Sequence, residues 1–572
     1  MHIDLETRDL PSTFRSDVCV IGGGIAGILL ASRLGQNGIR VNLLEAGGLE
    51  FEERSQNFYR TEMFGQHHCG AFEGRFRTFG GSSTRWGGQL LPYTDDVLHP
   101  DSRLGLPSWP IDLSELEKYY EDVQEVMGVA PLPFSDDLLQ EFGCETPFQS
   151  SRVRLRFSKC SPFVRRNLSK TLGRECLTSK EVTIFTHANA LSIDTNPGGD
   201  AALAVTASNY QGVKYTFTAD RFAICTGTIE ASRLLLASTQ VCSKGVGNDY
   251  GQVGRYFHDH VGVQAAVIAP EDCKRVVRAF APYVKGGTSY RAKLEATSEL
   301  RVEKGLLSVA AQLSVEEPPG SGADLVRKIL QGIQEGHLHV NFCRDIGNIP
   351  AAIAEGVNFV LAAKLNHRRY VTKRSKVVLD MDVEQRPNPE SRIRLAEEKD
   401  ALGMRKAVLD WKISIEEREC LRKYAAEIDL LFRERGFAKI NWSPQITAED
   451  DSWEQGRRLD GFHMMGGTRM GTNPASSVVD GSLKVHGLKN LYIASCSVFP
   501  TGGSSNPTFT MMALALRLAD KLLANEKKSP CIRIARNING GAERDRTADL
   551  LVANEALSQL SYSPTPQIHS MR

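Results

Sequence analysis

Residues 17–48 read DVCVIGGGIAGILLASRLGQNGIRVNLLEAGG. The first five form a short apolar run suited to a buried strand, glycines at 22, 24 and 27 make a turn, and residues 25–34 carry apolar side chains at helical spacing. Gly38 ends that helix, and residues 40–44 make a second strand that closes at Glu45. The unit has the roughly 30-residue size of a dinucleotide-binding βαβ element. Gly22 permits the tight reversal, Gly24 lets the backbone approach a pyrophosphate, and Gly27 allows close packing of helix on strand. Ile25 and Ala26 open the helix, whose free N–H groups and positive dipole end face phosphate charge. Glu45, 23 positions after Gly22, is placed to accept hydrogen bonds from ribose hydroxyls. This turn serves NAD and FAD alike.

The rest of the composition narrows the class. Of 572 residues, 69 are Lys or Arg and 68 Asp or Glu, a net charge of +1, with 41% hydrophobic and 24% charged. Such a chain is long enough for two or more domains and lacks the basic field that nucleic-acid binding needs. No stretch approaches the ~20 apolar residues of a membrane span. The opening MHIDLETRDLPSTFRSD mixes acids with bases and has no apolar signal core. Twelve cysteines occur without a CxxC pair, so neither a zinc nor an iron–sulfur ligand set is expected. Scattered thiols suit a reducing compartment, and a cytoplasmic location is the expectation.

Two further segments carry chemistry. In RFRTFGGSSTRWGGQL (75–90), Gly80, Gly81, Gly87 and Gly88 fall within nine residues, a cost in chain entropy that core packing does not explain. Close backbone approach to a flat or anionic ligand does, with Ser82 and Ser83 as donors; Trp86 is either a ring beside that ligand or a core tryptophan. Near the C-terminal end, His463 follows Phe462 and precedes the turn at Gly466 and Gly467, and Asn506 precedes Pro507 after a run of small residues. Both stand on loops, where chemistry concentrates.

Elsewhere the pattern is architectural. Ser114 and Glu117 are spaced as a capping box before a helix carrying Leu116, Tyr120 and Val123. KVVLDMDVEQ, RIRLAE and KAVLDWKIS read as period-two strands of an antiparallel sheet with one covered face. A helix with Leu421, Tyr424, Ala425, Ile428 and Phe432 follows, and another, apolar, covers 508–523. Residues 350–364 read as a helix packed on the second domain with a solvated basic end, in preference to an interfacial helix. From about Asn525 the chain is too sparse in apolar groups to form a core, and an unstructured tail without function is expected.

In this order the three glycine- and histidine-bearing segments resemble the glucose–methanol–choline (GMC) oxidoreductases, flavoproteins that oxidise alcohols. The resemblance extends from about Ser16 to Leu523 through PSWPIDLSELEKYY, CTGTIEASRLLLAS, GQVGRYFHDH and RPNPESRIRL. It is nearest the bacterial branch of pyranose oxidases and FAD-linked sugar dehydrogenases. It implies an α/β fold: a Rossmann-type FAD-binding domain (12–100, 176–256 and 460–524) interleaved with an α+β substrate domain on an antiparallel sheet (257–459), plus a helical segment (101–175) on the substrate side and the tail (525–572). It assigns Gly22, Gly24, Gly27 and Glu45 to the FAD turn and Gly80, Gly81, Ser82 and Ser83 to the loop passing the flavin. Cys496, Pro507 and Thr508 fall in backbone segments against the flavin, His463 matches the catalytic histidine, and Asn506 its partner.

Two positions depart from the pattern. Arg85 stands where members with covalent flavin have histidine, so non-covalent FAD is expected. Ser495 stands where several members have an acid contacting FAD.

The implied reaction takes hydride from a CH–OH group while a base takes the hydroxyl proton. An imidazole of ordinary pKa near 6.5 suits that role at neutral pH, and His463 is the expected base, with Asn506 holding the substrate oxygen. A sugar, glycoside or cyclic polyol is favoured as substrate. Oxygen, a quinone or a protein carrier could each take the electrons onward. The rival readings are a redox-silent flavoprotein lyase of the same fold and an NAD-binding dehydrogenase.

Overall fold

The apolar runs that flank the first glycine turn become neighbouring strands. Thr13–Ile21 pairs in parallel with Val41–Leu44 on one edge and with Lys214–Ile224 on the other. The computed structural model describes residues 1–335, 346–372, 374–448 and 459–527. The expected tail lies outside these from residue 528 onward.

Within the described residues the first sheet runs His2–Asp4, Val182–Thr186, Val41–Leu44, Thr13–Ile21, Lys214–Ile224, Ala202–Ser208, Asn189–Thr195. Lys214–Ile224 spends its second edge twice: its first half pairs antiparallel with Ala202–Ser208, and its end pairs in parallel with Leu491–Ile493. Strands 18–21 and 41–44 are buried throughout, as strands covered on both faces must be. Helix Ile25–Gln36 packs against Pro507–Lys527, which in turn packs against Ser114–Val126, and Leu29, Leu30, Leu116, Tyr120, Phe509 and Met512 fill the shared core.

The second sheet is antiparallel: Ile440–Trp442, His260–Ile268, Lys376–Glu384, Val309–Glu316, Thr288–Ala296, Val153–Cys160, Gln89–Leu90. One face lies on a core holding Leu379, Met381 and Tyr424, the last from helix Ile415–Glu434. Segment 101–175 divides between layers: its long helix joins the first core, and its strand Val153–Cys160 joins the second sheet.

Three expectations need correction or refinement. The meander does not form one sheet. Lys376–Glu384 belongs to the second sheet, whereas Arg392–Lys399 and Arg405–Trp411 form a hairpin of a separate three-stranded sheet closed by Glu62–Gly65 in parallel. Two prolines, at 387 and 389, lie between them, and proline cannot continue a ladder. The capping box at Ser114 and Glu117 is not formed. Leu113 is already helical (φ −57°, ψ −39°), so Glu115 is the residue that reaches back, accepting from the Asp112 N–H at 3.3 Å. Helix Ile349–Asn366 does pack, through Phe359 beside Ala323, yet Ile353, Val357, Leu361 and Leu365 remain exposed. Among the described residues no helix is long and apolar enough to cross a membrane.

Candidate active site

The early glycines are held by what would collide with a side chain. Gly22 has φ +105°, and a Cβ there would lie 2.7 Å from the Cys225 carbonyl oxygen. At Gly27 it would lie 1.9 Å from the Gly22 oxygen, whereas at Gly24 nothing lies within 4 Å. The turn is thus closed where helix meets strand and open where a phosphate would approach. Glu45 is buried and buckles this turn: Oε2 accepts from the Gly23 N–H at 3.0 Å and Oε1 from the Gly47 N–H at 2.8 Å. Burial raises its pKa against those hydrogen bonds.

The second glycine loop lies on the first. The Gly80 N–H donates to Gly23 O at 2.8 Å, and a Cβ on Gly81 (φ +52°) would meet Gly24 Cα at 3.0 Å. Thr226 Oγ1, next to the carbonyl that meets Gly22, is buried with no hydrogen-bond partner, an orphan that a bound ligand would satisfy. Bare backbone, an open helix start and this hydroxyl fit a dinucleotide.

The hydroxyls of Ser82 and Ser83 have partners within the protein. Ser82 Oγ donates to Gly74 O at 3.1 Å, and Ser83 Oγ donates to Gly80 O at 2.6 Å while accepting from the Leu168 N–H at 3.1 Å. They brace the loop, because a run of positive-φ glycines leaves carbonyls that need partners. Trp86 is half-buried at the margin of the first core, its indole N–H donating to Arg166 O at 2.8 Å. The Arg85 guanidinium lies over the rings of Phe51 and Phe76, 4.4 and 4.8 Å from their centroids. Ser495 Oγ bonds Ser497 Oγ within its own turn.

The late residues meet at the junction of the two large sheets. Asn506 Nδ2 is 2.8 Å from His463 Nε2. His260, first residue of strand His260–Ile268, places Nδ1 2.9 Å from His463 Nδ1 and Nε2 3.2 Å from Gly502 O. A carbonyl only accepts, so His260 carries its proton on Nε2 and offers Nδ1 as acceptor. His463 therefore donates from Nδ1, and its Nε2 keeps a lone pair, to which the Asn506 amide donates. Asn506 Oδ1 is buried without a partner.

The histidine turn is tied back to the glycine cradle. Thr228 Oγ1, in helix Gly227–Ala237 that follows strand Lys214–Ile224, donates to Met464 O at 2.7 Å. Cys496 lies beside the same turn, its carbonyl accepting from the Gly466 N–H at 3.2 Å. Pro507 and half-buried Thr508 begin the final helix directly after Asn506.

His463 does not keep an ordinary imidazole pKa. Burial, His260 and the Lys293 ammonium hold it well below 6.5. Burial and Lys293 likewise bring His260 down to about 3. Both rings are neutral at physiological pH.

Sequence reasoning passed over His260 and its neighbours, although the phrase FHDH (257–260) stood in a quoted segment. Asp259 is fully buried; its Oδ1 accepts from the His463 N–H at 2.8 Å, and its Oδ2 bonds His68 Nε2 at 2.9 Å. Asp460 accepts from the Gly70 N–H at 2.7 Å. The ligand atoms of His68, Asp259 and Asp460 lie within 4.8 Å of one another, close enough for a metal, but these hydrogen bonds make them a bolt behind the His463 backbone.

A family model for GMC oxidoreductase matches residues 387–515. The chain is 24% identical to the fructose dehydrogenase large subunit of Gluconobacter japonicus, over 90% of this chain and 99% of that one. It is 23% identical to paromamine 6'-oxidase of Streptomyces fradiae, over 90% and 92% of the two chains. Among solved structures, formate oxidase superposes with a TM-score of 0.55 at 17% identity, covering 91% of this chain and all of that one. Residues 387–515 thus match the GMC oxidoreductase family, and the chain as a whole shares the FAD-binding Rossmann-type fold of its solved neighbours.

Proposed function

We propose that this chain oxidises a CH–OH group of a sugar, glycoside or cyclic polyol to a carbonyl, with FAD as cofactor, His463 as base and Asn506 as its partner. The observation that carries the reading is the lone pair on His463 Nε2, fixed by the Gly502–His260–His463 relay and capped by Asn506 at 2.8 Å.

The cofactor would be held by the backbone of Gly22, Gly24 and Gly27, the N-terminus of helix Ile25–Gln36, and the loop at Gly80 and Gly81, with Glu45 bracing the turn. FAD supplies the acceptor for the hydride. The chain's part is the proton and the oxygen. The substrate hydroxyl replaces the Asn506 hydrogen bond on Nε2, and Nε2 takes its proton as the C–H bond breaks, so the carbonyl leaves neutral. Asn506 then donates its N–H to the substrate oxygen as negative charge develops there. The positive charge gained by His463 is shared toward His260 Nδ1, which accepts from Nδ1–H throughout.

Arg85, held over two phenylalanine rings, supports FAD bound without a covalent link. Denaturation followed by filtration should pass all the flavin into the filtrate. The main reading is tested by adding sugars and polyols anaerobically to the yellow protein: substrate bleaches the flavin. An FAD-loaded protein that no alcohol bleaches contradicts it.

A further inference from the structure

The antiparallel sheet buries one face and turns the other to the histidine corner. Leu379, Met381 and Val383 of Lys376–Glu384 enter the second core. Side chains alternate across a strand, so Asp380, Asp382 and Glu384 stand on the opposite face. Ala310 and Gln312 flank them on one neighbouring strand, and His260 and Gly262 on the other. Glu384 Oε2 accepts from the Gly503 N–H at 2.8 Å, and His260 Nε2 meets Gly502 O at 3.2 Å. One strand further, Lys293 pairs with Gln312 in the ladder and donates to the Ser504 carbonyl. This face therefore lies against the loop that ends at Asn506.

Two side chains on it stand apart from their neighbours. Asp382 and Gln312 are half-buried, and among the described residues neither the carboxylate nor the amide makes a hydrogen bond. Across the ladder Asp382 faces Gly262 on one side and Ala310 on the other. A Cβ on Gly262 would come within 2.8 Å of Asp382 Oδ1, so the carboxylate occupies the space that this glycine leaves. Burial raises the Asp382 pKa, and the Lys293 ammonium acts against that rise. Gly262 is two residues from His260, about 7 Å along the strand, and His260 touches His463. Asp382 thus stands about one sugar ring from the proposed base. A polar group withdrawn from water costs free energy until it is paired. A carboxylate that accepts beside an amide that both donates and accepts suits a set of hydroxyls.

We propose that Asp382, with Gln312 beside it, binds hydroxyl groups of the substrate other than the one oxidised, and so selects polyols over alcohols with a single hydroxyl. Asp382 determines specificity, while His463 and Asn506 keep the chemistry. The hydroxyls are those of a neutral polyol, because Lys293 already supplies positive charge to this face. This rests on the oxidoreductase reading and narrows its substrate class.

The test uses the FAD-loaded full chain and matched probes: D-glucose against tetrahydropyran-2-methanol, and myo-inositol against cyclohexanol, with D-glucosamine as a charged control. Binding is followed by the absorbance of oxidised flavin, and reaction by anaerobic bleaching. At least one polyol should bind and react ten-fold or more better than its single-hydroxyl counterpart. Asp382→Asn should shrink that advantage by roughly ten-fold, as loss of a hydrogen bond to a charged group does. The loss should fall mainly on the concentration for half-maximal bleaching, as removal of uniform binding does. Gly262→Ala, which leaves the carboxylate in the chain but drives a Cβ into its place, should act in the same direction. FAD content is the folding check for each. Equal behaviour of polyols and single-hydroxyl alcohols overturns the site and leaves the oxidoreductase reading intact. So does an advantage that survives Asp382→Asn in protein that retains FAD. A ten-fold preference for D-glucosamine over D-glucose that Asp382→Asn abolishes overturns the assignment to hydroxyls in favour of an ammonium group. Polyols that bind through Asp382 while no alcohol bleaches the flavin overturn the oxidoreductase reading and leave the binding site standing.

Discussion

The glycine cradle and the histidine corner solve opposite problems. The cradle is local and made of absences: its backbone closes on itself with no room for a Cβ at Gly22 or Gly27, and its exposed feature is the open approach at Gly24. The corner is assembled from segments near 260, 463 and 506, and depends on which nitrogen carries a proton. The first is set by volume, the second by hydrogen bonding and charge. A change in the cradle should therefore remove the cofactor, and a change in the corner should remove the chemistry while the cofactor stays.

The largest effect is expected in the cradle. Gly22→Ala forces a side chain into a left-handed backbone, costing about 1–2 kcal/mol, and drives its Cβ to 2.7 Å from a backbone carbonyl that cannot yield cheaply. The purified protein should be folded by circular dichroism and colourless. A yellow Gly22→Ala protein of normal flavin content would break the comparison at its root. In the corner, His463→Ala should keep its yellow colour and slow anaerobic flavin reduction by about 10²–10⁴-fold, the usual worth of a positioned base. Loss of flavin from that variant would mean that the corner also serves the cradle.

The same contrast explains what was legible in the sequence. The cradle's residues 17–48 are contiguous, so spacing alone gave strand, turn, helix and strand, and those elements appear in place; that the Glu45 carboxylate accepts from the Gly23 and Gly47 N–H groups did not follow from spacing. At Ser82 and Ser83 the sequence shows a hydroxyl but not the glycine carbonyls to which it donates. His463 and Asn506 were found through family resemblance, since no spacing law links positions 43 apart. His260 was missed for the same reason in stronger form: it lies 203 positions from His463, and its role exists only because Gly502 turns a carbonyl toward it. The unusual titration of His463 was equally invisible, because burial and Lys293 are tertiary facts.

The relay offers a sharper test of the corner. His260→Leu removes the acceptor for His463 Nδ1–H, frees the ring to change tautomer, and should slow flavin reduction by about ten-fold, the worth of one neutral buried hydrogen bond. His260→Asn, whose carbonyl can accept at a similar place, should recover part of the loss. If leucine and asparagine behave alike, His260 fills space and does not select the proton's position.

The smallest effect is one of pH. Because His463 must be neutral to act and its pKa is held well below 6.5, the acid limb of kcat/KM should lie below pH 6.5. The corner should stay active where an ordinary imidazole base would be half protonated. Lys293 contributes to that depression through its positive charge, so Lys293→Met removes a repulsion against the imidazolium and raises the histidine's pKa. The acid limb should then move to higher pH by a fraction of a unit, making the variant fall further behind the native protein at pH 5 than at pH 8. The cradle has no such lever, so flavin content should be the same at both values. A limb that stays fixed or moves to lower pH would show that Lys293 is neutral in the folded protein, and that burial and His260 alone hold the base deprotonated.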